Sequence, residues 1–236
     1  MNTKEMLIDS VKYSFKNKRC FLFLGILFWS LSFGSDIIGE YPILVIFIIP
    51  WFFFVLIEGG YLATVIEDTV FGSDEYPKFE NLKKLIWKGI KESLILFTYS
   101  IFSFIPLALI FFEVILFGIE FPPLILLIIF IISSFFSIIM VEGAIINCEY
   151  NHSKFKAAFE FKTIIRKLRK MGINRFFSSF FIVLLITLLV EPRLTEFSEH
   201  LHPLLWTATE FTVLPFLAIF SARFMGLIGR YNFKED

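Results

Sequence analysis

The sequence predicts an all-α integral membrane protein with six transmembrane helices. Hydrophobic residues make up 57% of the 236 residues and aromatic residues 19%, which is more apolar than an ordinary soluble domain. The apolar residues gather into runs of the length that a helix needs to cross a bilayer. Nearly all of the positive charges fall between these runs, in a pattern that alternates along the chain.

Three runs give the clearest transmembrane helices. Residues 93–112 and 121–141 contain no charged residue, and a helix needs about 20 apolar residues to cross the hydrocarbon layer. Residues 41–66 form a third run that only Glu58 interrupts. We interpret this run as one span that passes through the acid.

Three further runs are shorter or interrupted. Residues 20–35 and 176–190 are brief, but each follows an amphipathic segment that can extend the helix. Residues 211–229 are interrupted by Arg223 and give the weakest of the six signals. Six crossings are an even number, which places both termini on the same side of the membrane.

The distribution of positive charge predicts which side that is. Short cytoplasmic loops collect Lys and Arg, and of the 22 such residues only Arg193 falls on the opposite side of the predicted spans. We therefore expect a multi-pass protein of the cytoplasmic membrane with both termini in the cytoplasm. A cleaved signal peptide is the alternative for the N-terminus, but the polar segment 1–19 is long and predicts a helix of its own.

The chain is predicted to be a single membrane domain built from three similar units. An amphipathic stretch with helical periodicity precedes the first, third and fifth apolar runs. Each unit then combines an inner amphipathic helix with a transmembrane hairpin, as expected for an internal repeat. The units cover approximately residues 1–79, 80–153 and 154–236.

Basic residues in the second and third amphipathic stretches predict contact with the lipid surface. They are Lys83, Lys84, Lys88, Lys91, Lys162, Arg166, Lys167, Arg169 and Lys170. A helix with an apolar stripe and a basic face suits the headgroup boundary, where its cations meet anionic lipid. Membrane lipids with anionic headgroups are therefore the expected partners. The alternative is that these stretches are extensions of the spans that pack on one another.

Three ionisable residues inside the apolar runs predict a polar cluster. Glu58, Glu142 and Arg223 lie at similar depth, roughly 10 Å inside the cytoplasmic edge at 1.5 Å per residue. Small residues follow each of them and allow helices to approach closely. We expect Arg223 to balance the two acids in a structural contact. One alternative is a path for protons or cations. The other is that the three side chains extend to the membrane surface without contacting one another.

The sequence predicts neither an enzyme nor a bound cofactor. It contains no GxxxxGK[ST], GxGxxG, HExxH or GxSxG motif, and its longest cytoplasmic stretch, residues 149–175, is too short for a catalytic domain. Zero net charge gives no general attraction to nucleic acid. No metal site is expected either, because His200 and His202 are spaced so that they do not share a helical face.

The segment 59–91 resembles a known family. Its most specific part is a turn formed by Gly72, Ser73, Asp74, Glu75, Pro77 and Phe79. It is similar to the signature of a prokaryotic membrane family known as domain of unknown function 4013, best known from methanogenic archaea. The resemblance extends to residues 158–176 and 221–231. It implies this architecture and a prokaryotic cell membrane, and it transfers no catalytic residues because the family has no established activity.

These observations together predict a structural or organising membrane protein that acts through lipid and protein contacts. A membrane-protein partner or a second copy of the chain is the other expected associate. The alternative is a small transporter or channel that uses Glu58, Glu142 and Arg223. A water-accessible cavity that reaches Glu58 would favour transport, and a dry interior would favour the organising role.

Overall fold

The computed structural model describes residues 1–40, 48–79, 81–118, 124–171, 181 and 203–233. Its helices are α1 (Thr3–Ser14), α2 (Lys18–Glu40), α3 (Ile48–Val70), α4 (Leu82–Phe117), α5 (Leu124–Tyr150), α6 (Phe161–Lys170), α7 (Pro203–Ala208) and α8 (Leu214–Asn232). A 3₁₀ helix, Phe155–Phe159, precedes α6, and a π-helical turn, Thr209–Val213, joins α7 to α8. All regular structure in this part of the chain is helical, which confirms the all-α prediction.

Four helical segments in the described residues are long and apolar enough to cross a membrane. They are Ile48–Val70, Leu82–Ile115, Leu124–Tyr150 and Leu204–Asn232. They coincide with the second, third, fourth and sixth predicted spans. The first predicted span lies within the 23-residue helix α2, whereas the fifth, residues 176–190, falls outside the described residues apart from Phe181.

The second amphipathic stretch and the third predicted span form a single helix. α4 contains 36 residues and is capped at its start by Asn81, whose side chain accepts a hydrogen bond of 3.0 Å from the backbone N–H of Lys84. The residue that follows its last turn is Gly118, which has a φ of 60°, a conformation that glycine adopts without steric cost. No residue between Leu82 and the start of the apolar run breaks the helix, so the stretch is an extension of the span.

The third amphipathic stretch folds differently. The chain turns after α5, forms the 3₁₀ helix and then forms α6, which packs back against α5. A side chain at Gly143 would meet Ile164 and Leu168, and both of these α6 residues are buried. Part of the apolar stripe of α6 is therefore covered by protein, whereas Phe161 and Ile165 are exposed.

Glycines bring α3 and α4 into backbone contact. A Cβ atom on Gly60 would overlap the carbonyl group of Leu85, and one on Gly89 would overlap the carbonyl group of Leu56. Small residues permit this kind of close helix packing in membranes. Of the four candidate spans, the one that contains α8 is the most buried and α5 the least. α8 is therefore central, and the α4–α5 hairpin presents apolar side chains outward.

Candidate functional site

Arg223 on α8 is the centre of the first polar cluster, at the end of the bundle where α3, α5 and α8 finish and α4 begins. Its side chain is 2% exposed. Nε donates to Oδ2 of Asp9 at 2.8 Å, and Nη2 donates to Oδ1 of Asp74 at 2.6 Å. Nη1 donates to the carbonyl oxygen of Ser73 at 2.7 Å and to Oγ1 of Thr69 at 3.3 Å. We call these five residues the Arg223 cluster.

The Arg223 cluster joins four parts of the chain through one cation. A buried charge is costly unless it is paired and hydrogen-bonded. The guanidinium group meets this requirement because its planar fork can reach several acceptors at once. Its hydrogen bond to Asp74 also lowers the pKa of that carboxyl group. The cluster thereby holds α1 and the turn after α3 against α8.

Two tyrosines reinforce the same junction. The rings of Tyr13 and Tyr76 stack with their centroids 4.6 Å apart, and the guanidinium carbon of Arg223 lies 4.4 Å from the ring centroid of Tyr13. The hydroxyl group of Tyr76 donates to the carbonyl oxygens of Tyr13 and Ser14, at 2.9 and 2.8 Å. Tyr13 donates in turn to the carbonyl oxygen of Glu75 at 3.1 Å. Burial raises the pKa of both hydroxyl groups.

The turn that carries the family resemblance is therefore a docking segment. Phe79 at its end stacks on Tyr61 of α3, with ring centroids 4.1 Å apart. The hydroxyl group of Tyr61 donates to the carbonyl oxygen of Pro77 at 3.4 Å. With Asp74 bound to Arg223, both ends of the turn are fixed to the bundle.

The predicted contact of Arg223 with Glu58 and Glu142 is wrong. Arg223 lies beside the end of α3. Gly226, which is on α8 like Arg223, packs there against Thr69 of α3. Glu58 precedes Thr69 by eleven residues, or about 16 Å along a helix. Glu142 is buried beside Gly143, and its Oε2 atom has no hydrogen-bond partner in the described part of the chain. The three residues were predicted to lie at similar depth in the membrane, but this did not place them on helix surfaces that face one another.

Lys88 on α4 is the centre of a second polar cluster. Its side chain is 4% exposed, and its Nζ atom forms ion pairs with Glu67 of α3 and, at 3.3 Å, with Glu149 of α5. The hydroxyl group of Ser153 donates to Glu149 at 2.6 Å, and Lys91 donates to the carbonyl oxygen of Ser153 at 2.7 Å. We call these residues the Lys88 cluster. It connects α3, α4 and α5.

Lys167 on α6 forms a third buried contact. Its Nζ atom donates to Oδ1 of Asn147 at 2.9 Å and lies 4.6 Å from the ring centroid of Tyr150. The amide nitrogen of Asn147 donates to the carbonyl oxygen of Ala157 at 2.7 Å. These bonds fix both the 3₁₀ helix and α6 to the end of α5.

The prediction of a lipid-surface position is therefore wrong for two of the nine residues. Lys88 and Lys167 are buried because each satisfies polar groups between helices, and Lys91 is half-buried. The other six are exposed, namely Lys83, Lys84, Lys162, Arg166, Arg169 and Lys170. Periodicity separated the apolar stripe from the basic residues, but it did not show which basic residues border a neighbouring helix.

Glu92 is an acid within a candidate membrane-spanning helix that the sequence analysis missed. It lies one turn after Lys88 on α4, and a Cβ atom on Gly59 would be 3.1 Å from its Oε2 atom. That Oε2 atom is buried without a hydrogen-bond partner among the described residues. Glu92 escaped notice because it directly precedes the uncharged run that begins at Ser93. Its spacing of four residues from Lys88 was the available signal.

No group of three or more His, Cys, Asp and Glu residues that could hold a metal ion occurs in the described ranges. His200 and His202, considered above for metal binding, lie outside them.

The fold and these clusters define a helical protein with several membrane-spanning candidates, tied together at one end by buried cations. The family described as protein of unknown function, DUF4013, matches residues 43–193, and the chain belongs to this family. The match contains Asp74 and the Lys88 cluster, whereas Asp9 and Arg223 lie on either side of it. No curated protein and no solved structure matches the chain.

Proposed function

We propose that this protein is a structural or organising component of the cytoplasmic membrane that acts through anionic lipid and protein contacts. In this proposal the chain crosses the membrane six times, in three units of an inner helix and a hairpin. Both termini then lie in the cytoplasm, as the placement of Lys and Arg favours.

The basic residues fall into a buried group and an exposed group, and this is the observation that supports the proposed role best. Arg223, Lys88 and Lys167 are buried and paired within the protein. The six exposed basic residues lie on α6 and the first turn of α4, at the same end of the bundle. Basic side chains near a bilayer surface each contribute roughly 1 kcal/mol of attraction to anionic lipid.

The outer surface of the α4–α5 hairpin supports contact with lipid chains. Phe97 and Phe111 on α4 and Leu124 and Ile132 on α5 are each more than 60% exposed. Apolar side chains at this density are costly in water and suit the hydrocarbon layer. The same surface is available to a membrane-protein partner or to a second copy of the chain.

Trp87 provides a local reporter for the lipid test. It is 61% exposed on α4, between Lys84 and Lys88. We propose to reconstitute the full chain in vesicles and to quench its fluorescence with brominated anionic or brominated zwitterionic lipid. The signal of Trp87 is the difference between the parent and Trp87→Phe. We expect anionic lipid to be enriched about fivefold around Trp87, the effect of roughly 1 kcal/mol.

A pair of variants tests whether charge causes this enrichment. Replacing Lys83 and Lys84 by Gln removes two charges and should abolish the preference for anionic lipid. Replacing both by Arg conserves charge and should retain it. Equal quenching by the two lipids in the parent would contradict the proposed lipid contact.

A small transporter or channel is the second candidate. The buried Oε2 atoms of Glu92 and Glu142, which lack hydrogen-bond partners in the described part of the chain, favour it. Such carboxyl groups are typical of proton and ion paths in membranes. Proton flux into vesicles that contain the protein, lost on Glu92→Gln, would support transport, and no flux above that of empty vesicles would exclude a proton path.

A further inference from the structure

A basic cavity lies beside the Arg223 cluster, between the end of α1, the start of α2 and the turn after α3. Its volume is about 440 Å³. It is lined by Lys16, Asn17, Lys18, Arg19, Glu75, Tyr76 and Lys78. Four of these side chains are cations and one is an acid, so the lining carries a clear positive excess.

Hydrogen bonds fix the walls of this basic cavity. Nζ of Lys16 donates to the carbonyl oxygen of Asp74 at 2.6 Å. Tyr76 is held against α1 through its bonds to Tyr13 and Ser14. Oδ1 of Asn17 accepts hydrogen bonds from the backbone N–H groups at the start of α2, 3.1 Å from Arg19 N and 3.3 Å from Cys20 N. Lys16, Asn17 and Tyr76 are thus held in place by bonds within the protein.

The charge of the basic cavity favours an anion with several oxygen atoms. Cations held in one concave site repel one another, and an anion between them relieves that repulsion. The cavity also lies at the N-terminus of α2, which is the positive end of the helix dipole. Lys and Arg both bind phosphate oxygens through charge-assisted hydrogen bonds. Phosphate is therefore the group that this lining suits.

The position of the basic cavity indicates that the phosphate belongs to a lipid. The next residues of α2 carry apolar side chains outward, with Leu22 56% and Ile26 53% exposed. The cavity therefore borders the apolar surface of the first predicted span. A lipid could place its phosphate in the cavity and lay its chains along α2. We propose that the basic cavity binds the phosphate group of an anionic membrane lipid, an inference that rests on the lipid contact proposed above.

Titration of short-chain phosphatidylglycerol into the detergent-solubilised full chain, monitored by native mass spectrometry, tests this site. The variant Lys18→Gln, Arg19→Gln, Lys78→Gln removes three charges from the lining. It keeps Lys16 and its hydrogen bond to the carbonyl oxygen of Asp74. Its matched control, Lys4→Gln, Lys154→Gln, Lys156→Gln, removes three exposed charges that lie outside the cavity and outside the proposed lipid contact. We expect the cavity variant to bind the lipid at least about tenfold more weakly, since a single charge-assisted hydrogen bond can supply that factor. The control should change binding by less than about twofold.

Two further measurements identify the ligand and separate loss of charge from misfolding. Inorganic phosphate should compete with the lipid in the parent, whereas phosphatidylcholine should bind more weakly than phosphatidylglycerol. The charge-conserving variant Lys18→Arg, Lys78→Arg should retain binding, which shows that loss in the Gln variant is due to charge. Tight binding of inorganic phosphate without binding of phosphatidylglycerol would overturn the lipid assignment.

Equal losses in the cavity variant and the matched control, or no loss in either, would overturn the basic cavity as a specific site. This failure is distinguishable from failure of the proposed function. If anionic lipid still accumulates at Trp87, the general lipid contact stands while the cavity does not. If that accumulation is absent as well, the proposed function fails.

Discussion

Arg223 and Asp74, separated by about 150 positions in the sequence, are joined by a hydrogen bond of 2.6 Å between Nη2 and Oδ1. This bond ties the turn that resembles the family signature to the most buried helix of the bundle. The same guanidinium group reaches Asp9, so α1 is fastened at the same point. Helices from both ends of the chain thus depend on one cation.

Replacing Arg223 by Leu should destabilise the protein by about 1–3 kcal/mol. The buried hydroxyl group of Thr69 and the carbonyl group of Ser73 lose their donor, which accounts for a loss of this size. Asp9 and Asp74 are 37% and 66% exposed, so water can compensate their charges and the cost stays below that of a fully buried pair. Unfolding by a denaturing detergent measures the change. Arg169→Leu, at an exposed position, is the control, and an equal effect of the two variants would refute the structural role of Arg223.

Stability should fall at acid pH through Asp74. Its pKa is lowered in the folded state by the hydrogen bond from Arg223. The contribution is therefore fully present above the unfolded pKa of about 3.9 and is lost as the pH falls through the lower folded value. Comparing the unfolding midpoints of the parent and Asp74→Asn between neutral pH and pH 3 measures this. The difference between them should shrink towards acid, and a constant difference would argue against the ion pair.

Replacing Gly60 by Ala should destabilise the protein by about 1–3 kcal/mol, the usual cost of overpacking. The added methyl group would overlap the carbonyl group of Leu85 and force α3 and α4 apart. Gly59→Ala is the matched control because the closest group to its Cβ atom would be the flexible carboxyl end of Glu92, and the nearest backbone atom of α4 would be 4.0 Å away. Thermal unfolding in detergent should separate the two variants. Equal stability would show that the close approach of α3 and α4 contributes little.

Replacing Lys88 by Met should cost about 3–5 kcal/mol, because it leaves the buried Glu149 and the partly buried Glu67 without their cation. Glu149 is 5% exposed and cannot regain water without a local rearrangement. Lys84→Met removes the same charge from an exposed position one turn earlier and should change the free energy of unfolding by less than about 1 kcal/mol. The variant Lys88→Met, Glu149→Gln should recover part of the loss. No difference between Lys88→Met and Lys84→Met would contradict the Lys88 cluster.

Composition and periodicity were sufficient to predict the helical class and the positions of four candidate spans. Long uncharged runs such as residues 93–112 have few alternatives to a membrane helix. The family turn at Asp74 and the charge of Arg223 were both visible in the sequence, although their pairing was not. Local sequence defines which residues share a helix face, but not which other helix covers that face.

The wrong assignments arose because the sequence does not show which helix covers a given face. Lys88 and Lys167 follow the same periodicity as the exposed basic residues beside them, yet each meets polar partners from another helix. The partners Asp9 and Asp74 lie in polar segments that carry no apolar pattern to mark them as buried contacts. Pairing Arg223 by depth alone therefore selected the wrong acids.

The orientation of the basic end of the bundle tests the account most directly. A single cysteine at Lys162, with Cys20 and Cys148 replaced by Ala, can be treated with a membrane-impermeant maleimide in intact cells and in permeabilised cells. We expect labelling of Lys162→Cys only after permeabilisation, because this exposed part of α6 faces the cytoplasm in the proposed topology. Labelling in intact cells would place the basic residues outside and contradict the account.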